Sequence, residues 1–203
     1  MSVHVLDSKP TTDDAFGTVP DERTLEQRLA SGFILVDKPA GPTSHQLAAW
    51  ARDLLELDRL GHGGTLDPFA TGVLPLMSGR CMKITNKILK HKKTYIAVFR
   101  FRTMPDEADL KTTIASLTGR IYNVPPEVSA VKVQVRTRTI HAFELLDVEG
   151  NDAVARISCD AGTYIRTMAR DMGLLLNTPV TLKELRREKS VSYTHLRAHE
   201  TVL

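Results

Sequence analysis

Residues 94–103 read TYIAVFRFRT, in which Tyr95, Ala97, Phe99 and Phe101 alternate with Arg100 and Arg102. A period of two with one apolar face is the pattern of a half-buried strand. Downstream, Asp106–Leu117 has helical spacing, with Leu110, Ile114 and Leu117 inward and Gly119 as its stop. Val131–Val135, Ile140–Val148 and Ala153–Cys159 read as strands, the last two joined as a hairpin around Gly150 and Asn151. A further helix starts near Thr163, with Ile165, Met168, Ala169, Met172 and Leu176 on one side. Upstream, Phe33–Val36 is a short apolar strand ended by Pro39, Gly41 and Pro42. Thr43 or Ser44 then caps a helix in which Leu47, Trp50, Ala51, Leu54 and Leu55 fall at helical spacing, with Gly61 past its end. Strands broken by a few helices, without a regular βαβ alternation, predict an α+β fold: a mixed, mainly antiparallel sheet flanked by helices.

The 203 residues are 42% hydrophobic and 25% charged, a globular composition that excludes a disordered chain. No apolar run approaches the roughly 20 residues of a membrane span, and MSVHVLDSKPTTDDAFG lacks the basic-then-apolar pattern of a secretory signal. The expectation is a cytoplasmic protein without membrane partners. Cys81 and Cys159 show no metal-ligand or redox spacing, so neither a zinc site nor a disulfide is predicted. Charge is uneven. From Arg80 to Arg138 there are thirteen Lys and Arg against four Asp and Glu, whereas the first thirty residues carry six acids and three bases. Lys87, Lys90, Lys92 and Lys93, followed by Tyr95, Arg100 and Arg102, have the footprint of a nucleic-acid surface. A solvated basic face is the alternative.

Residues 61–75, GHGGTLDPFATGVLP, place glycines and two prolines around a single carboxylate, Asp67. Glycine opens backbone conformations that other residues resist, and Pro68 pushes Asp67 away from helical geometry, so the loop reads as held in one irregular shape. Local chemistry alone leaves an ordinary aspartate-capped turn as the alternative. The stretch CDAGTYIRTMARDMG, residues 159–173, sets Gly162 between a strand end and a helix start and aims Tyr164 and Arg166 from the first turn. Asp67, Tyr95 and Arg166 can converge there. A two-pronged guanidinium clasp would orient the carboxylate and keep it charged as a nucleophile. No phosphate-binding P-loop and no GxSxG elbow is present, and His45 and His62 lack metal-ligand spacing.

In order along the chain, GFILVDKPAGPTSH, GHGGTLDPFATGVLPL, KKTYIAVFRF, GRIYNVPPEVSAVK, AGTYIRTMARDMG and LKELRR resemble the TruB and dyskerin family of RNA pseudouridine synthases, from about Gly32 to Lys189. The resemblance implies isomerisation of a chosen uridine to its C-glycoside without metal or organic cofactor. It implies that Asp67 is the nucleophile, Arg166 its partner and Tyr95 the residue stacking on the target base. His62, Tyr164 and Leu185 match positions that contact or wedge beside a flipped nucleotide. Lys38 and Pro39 brace the loop, with Gly64 as structural support. Flipping costs a few kcal/mol, which aromatic and apolar pocket walls partly offset.

GRIYNVPPEVSAVK, followed at once by the next strand, is closer to the archaeal and eukaryotic branch. Members of that branch act in H/ACA particles with a guide RNA and small protein subunits on tRNA or rRNA. A stand-alone tRNA enzyme and a non-catalytic RNA-binding scaffold are the alternatives. The expected organisation is a flexible arm over 1–31 and a catalytic domain over 32–189, incomplete at its end and lacking the family's PUA domain. The stretch 190–203 contains VSYTHLRAHET, which matches a translated sequencing adapter, and is expected to be non-native.

Overall fold

The computed structural model describes residues 20–125 and 134–190. Eight strands form one sheet, β1 (Phe33–Lys38), β2 (Leu60–His62), β3 (Thr71–Ser78), β4 (Lys93–Phe101), β5 (Gly119–Asn123), β6 (Arg136–Glu149), β7 (Asp152–Cys159) and β8 (Val180–Lys189). The order is β1-β3-β8-β4-β7-β6-β5, with β2 also paired to β3. Among the described residues five α-helices accompany the strands: α1 (Leu25–Ala30), α2 (Ser44–Leu54), α3 (Thr85–Leu89), α4 (Glu107–Ser116) and α5 (Ile165–Leu175). This is the expected α+β fold. All pairings are antiparallel except a short parallel contact of β3 with β8 at Thr71–Arg186 and Gly72–Arg187.

That contact is the seam between two cores. On one side α2 lays Ala48, Leu47 and Ala51 on Leu74 and Leu76 of β3 and on Ile34 and Val36 of β1. On the other, α4 and α5 cover β4, β7 and β6 through Leu110, Ile114, Ile165, Met168 and Met172. Fully burying an apolar side chain of this size stabilises by about 1.5–3 kcal/mol, so the larger core dominates. The alternation of β4 is as expected, with Tyr95, Ala97, Phe99 and Phe101 buried and Arg100 exposed. Gly72 makes the seam possible. Its φ is +104°, and a Cβ there would lie 2.3 Å from the Arg187 carbonyl oxygen.

Several details differ from the sequence reading. Residues 71–75, read as part of the 61–75 loop, lie in β3, and 180–189 form β8. Within α2 Trp50 and Leu54 are exposed at 58% and 83%, since the buried face is Ser44 and Ala48. The expected strand over 131–135 falls mostly outside the described residues, and Gln134 and Val135 are not in a strand. Among the described residues no helix is long and apolar enough to cross a membrane. Both cysteines are free, and burial pushes the Cys159 thiol up to about 12.

Candidate active site

The loop between β2 and β3 carries Asp67, and its shape is imposed from outside. Ser44, fully buried at the start of α2, accepts the Leu66 N–H through Oγ at 2.8 Å and donates back to the Leu66 carbonyl at 3.3 Å. The Gly41 N–H donates to the Pro68 carbonyl at 2.8 Å, and Leu66 is buried in the larger core. Lys38, with no solvent exposure, donates through Nζ to the carbonyls of Pro39 (2.8 Å), Pro68 (3.1 Å) and Ala70 (2.8 Å). Three acceptors match the three donors of an ammonium. Burial lowers its pKa, with the Asp67 charge opposing. From the other side Arg187, 1% exposed, donates to the carbonyls of Val73 (2.8 Å), Gly64 (3.0 Å) and Thr65 (3.5 Å). Gly64 meets this clamp with φ +133°, a left-handed conformation that a side chain would strain.

Asp67 and Arg166, 99 residues apart in sequence, meet at 2.9 Å between Oδ1 and Nη2, each side chain about 30% exposed. The contact is single-pronged rather than the two-pronged clasp expected, and Arg166 Nε is buried with no partner among the described residues. Tyr95, 8% exposed, faces both Asp67 and Arg187. Burial raises the pKa of its hydroxyl, and the Arg187 guanidinium opposes that shift. Leu185 is buried opposite Ala97 on the β8–β4 pairing, in the same core as Tyr95 and Leu66. Tyr164, half-buried, is the N-cap residue of α5, two positions before Arg166.

His62 ends β2, its ring edge-on to His45 with centroids 4.6 Å apart. Burial lowers its pKa, with His45 and Arg187 adding to the effect. Its Nδ1 is buried without a partner among the described residues. No group of three or more His, Cys, Asp and Glu side chains is placed to hold a metal among the described residues.

The basic stretch needs correction. Lys87, Lys90 and Lys92 are exposed, but Lys93 is 4% exposed and donates to the carbonyls of Ile88, His91 and Ser190. Arg100 is engaged in two hydrogen bonds with Asp152, at 2.7 and 2.6 Å. Ser44 and Arg187 escaped the sequence reading as parts of the site. Leu185 and Arg187 share one face of β8 while Arg186 turns outward to Asp37, so only the strand assignment could have separated the two arginines.

Comparison with known proteins fits this geometry. Residues 52–165 match the model described as TruB family pseudouridylate synthase (N terminal domain). The chain belongs to this family. Residues 4–48 match a second model, the DKCLD (NUC011) domain. A relative called probable tRNA pseudouridine synthase B, from Methanothermobacter thermautotrophicus, is 41% identical over 177 residues, 87% of this chain and 55% of that protein. Its counterpart from Methanocaldococcus jannaschii is 41% identical over 92% of this chain and 55% of its own length. The chain thus spans about half the length of the curated relatives it matches. Among solved structures, a chain of a Cbf5-Nop10-Gar1 complex superposes with TM-score 0.89 at 36% identity, covering 97% of this chain and 59% of that one. A chain of an H/ACA RNP bound to a substrate RNA containing 2'-deoxyuridine gives TM-score 0.85 at 32% identity, covering 97% and 58%.

Proposed function

We propose that the protein is an RNA pseudouridine synthase with Asp67 as its nucleophile. The observation that carries this reading is the 2.9 Å contact of Asp67 with Arg166, in a chain of this family. The reaction is an isomerisation. The N1–C1′ bond of uridine breaks, the uracil turns, a C5–C1′ bond forms, C5 gives up its proton and N1 gains one. Asp67 attacks the sugar or base, Arg166 orients it, and Tyr95 stacks on the target base. His62, Tyr164 and Leu185 line the position of the flipped nucleotide, while Lys38, Pro39 and Gly64 hold the loop. No metal or organic cofactor enters the scheme.

The substrate is tRNA or rRNA, and the protein works in the cytoplasm as the catalytic subunit of a guide-RNA H/ACA particle with small protein subunits. The likeness to chains of a Cbf5-Nop10-Gar1 complex and of an H/ACA RNP supports that branch. Relatives named for tRNA favour a stand-alone tRNA enzyme as the second reading. Residues 32–189 form the catalytic domain, 1–31 an arm and 190–203 a non-native tail.

Tritium release from RNA labelled at uridine C5 tests the chemistry, with Asp67→Asn alongside. Release by wild type alone supports the nucleophile, and retained turnover by the variant refutes it. RNA affinity should stay close to wild type in Asp67→Asn, because phosphate contacts carry most of the binding. Turnover of free tRNA by the isolated chain would select the stand-alone reading, whereas turnover only after adding guide RNA and particle subunits would select the other.

A further inference from the structure

The Asp67–Arg166 contact leaves a geometrical question open. One hydrogen bond lets a guanidinium pivot about it, and Arg166 Nε finds no partner among the described residues. The direction of the Arg166 side chain is therefore set from its backbone, at the first turn of α5. Ile165 there is 2% exposed. Tyr164, the N-cap residue, is extended (φ −95°, ψ 105°) and makes no side-chain cap bond. A tyrosine hydroxyl lies too far from its own backbone to serve the amides that a Ser or Asp would cap.

The Tyr164 backbone is held instead from β5. Asn123 Oδ1 accepts the Tyr164 N–H at 2.9 Å, and Asn123 Nδ2 donates to the Tyr164 carbonyl at 3.2 Å. Both halves of one carboxamide thus engage both polar groups of one residue, as a neighbouring strand would. Thr167 Oγ1 closes the same junction by donating to the Val124 carbonyl at 2.6 Å. Asn123 is 2% exposed and Thr167 is 4% exposed, so water does not compete for these bonds. The asparagine itself is anchored by β5, where it pairs with Arg136.

We infer that Asn123 is a positioning residue for the site, a two-point latch on the Tyr164 backbone that aims Arg166 at Asp67. This deepens the proposed function and rests on that reading for its kinetic consequences. A displaced guanidinium leaves the carboxylate unoriented, and a misplacement of about 1 Å can cost on the order of 100-fold in rate. Asn123→Asp keeps the acceptor for the Tyr164 N–H but sets an anionic oxygen against the Tyr164 carbonyl, so it should fail to rescue. Asn123→Ser tests whether a small polar group with one bond restores part of the rate.

The experiment uses the full chain and, where required, its particle components. Single-turnover rate, RNA affinity, thermal midpoint and amide exchange at Tyr164 are measured for wild type, Asn123→Ala, Asn123→Ser, Asn123→Asp, Arg166→Ala and Asn123→Ala/Arg166→Ala. Asn123→Ala should slow turnover about 10- to 100-fold with RNA affinity within about threefold of wild type. The double variant should be no slower than Arg166→Ala, because the latch acts through that arginine. A multiplied loss in the double variant, or unchanged exchange at Tyr164 in Asn123→Ala, would overturn the inference. If wild type turns over no RNA, the proposed function fails by itself. The latch is then decided by exchange at Tyr164 and by the Arg166 Nε–H resonance, both of which should move in Asn123→Ala and Asn123→Ser. Unmoved signals in folded variants would reject it.

Discussion

Replacing Arg187 with methionine keeps the apolar stem and deletes the clamp on the Asp67 loop. The carbonyls of Val73 and Gly64, accepting at 2.8 and 3.0 Å, lose a donor in a site where Arg187 itself is 1% exposed. The third contact, to Thr65 at 3.5 Å, is long enough to count for little. Each buried carbonyl left without a donor costs about 1–3 kcal/mol, giving about 2–6 kcal/mol for two. Relief of the buried guanidinium returns part of this, so a net loss of about 2–4 kcal/mol is expected. For a chain of this length about 1 kcal/mol moves the midpoint by about 2–4 °C, so Arg187→Met should melt about 4–16 °C lower. Differential scanning calorimetry of both proteins at neutral pH measures this. Turnover should fall further than RNA affinity, because the released segment carries Asp67. A midpoint within about 2 °C of wild type would show that the carbonyls are not held as argued.

Two further outcomes follow from the same core. Gly72→Ala should cost more than the roughly 4–5 kcal/mol reached by severe substitutions, because its Cβ would meet Arg187 backbone atoms at 2.3, 2.7 and 2.9 Å; Gly119→Ala, at φ +94° with open space, should cost only the local strain of about 1–2 kcal/mol, and equal losses in urea titrations would refute the seam argument. Lys93 has its pKa lowered by burial from 10.5 to about 8, so below about pH 8 both folded and unfolded chains hold the proton and the fold bears the whole burial penalty. Between about 8 and 10.5 the unfolded chain binds more protons, so stability rises with pH by up to about 3 kcal/mol. The stability difference between wild type and Lys93→Met should therefore shift in favour of wild type across that window, and a flat difference would contradict it.

The elements that could be read from sequence are those whose neighbours are local. The alternation of 94–103 and the helical spacing of 165–175 each carry their own apolar face, so β4 and α5 emerged without tertiary information. β3 did not, because Gly72 and Pro75 carry turn chemistry; in the fold Gly72 is required by the close approach of β8, and Pro75 sits opposite Leu35. β8 was invisible for a related reason. Its inward positions include Arg187, whose partners are carbonyls more than 100 residues away in sequence. Lys93 looked like one more surface cation in a basic run because the carbonyls of Ile88 and Ser190 that enclose it are brought there by folding. Asp67 and Arg166 were legible as a pair through motif resemblance, while the single-pronged geometry of their contact was not.

The buried cations also explain why the loop is gripped through its backbone. Among the described residues Lys38 and Arg187 donate to six carbonyl oxygens, and Arg187 also meets the Tyr95 hydroxyl, with no carboxylate among these partners. A second buried acid could have neutralised either cation, but it would also have competed with Asp67 for Arg166 and repelled its charge. Carbonyl dipoles satisfy the donors without introducing a rival anion. Four of the six belong to Gly64, Thr65, Pro68 and Ala70, residues flanking Asp67, so bonds that satisfy the cations also fix the backbone from which the carboxylate projects. Asp67 therefore remains the one acid of its loop, tied to Arg166 by a single hydrogen bond while the backbone on either side of it is held by several.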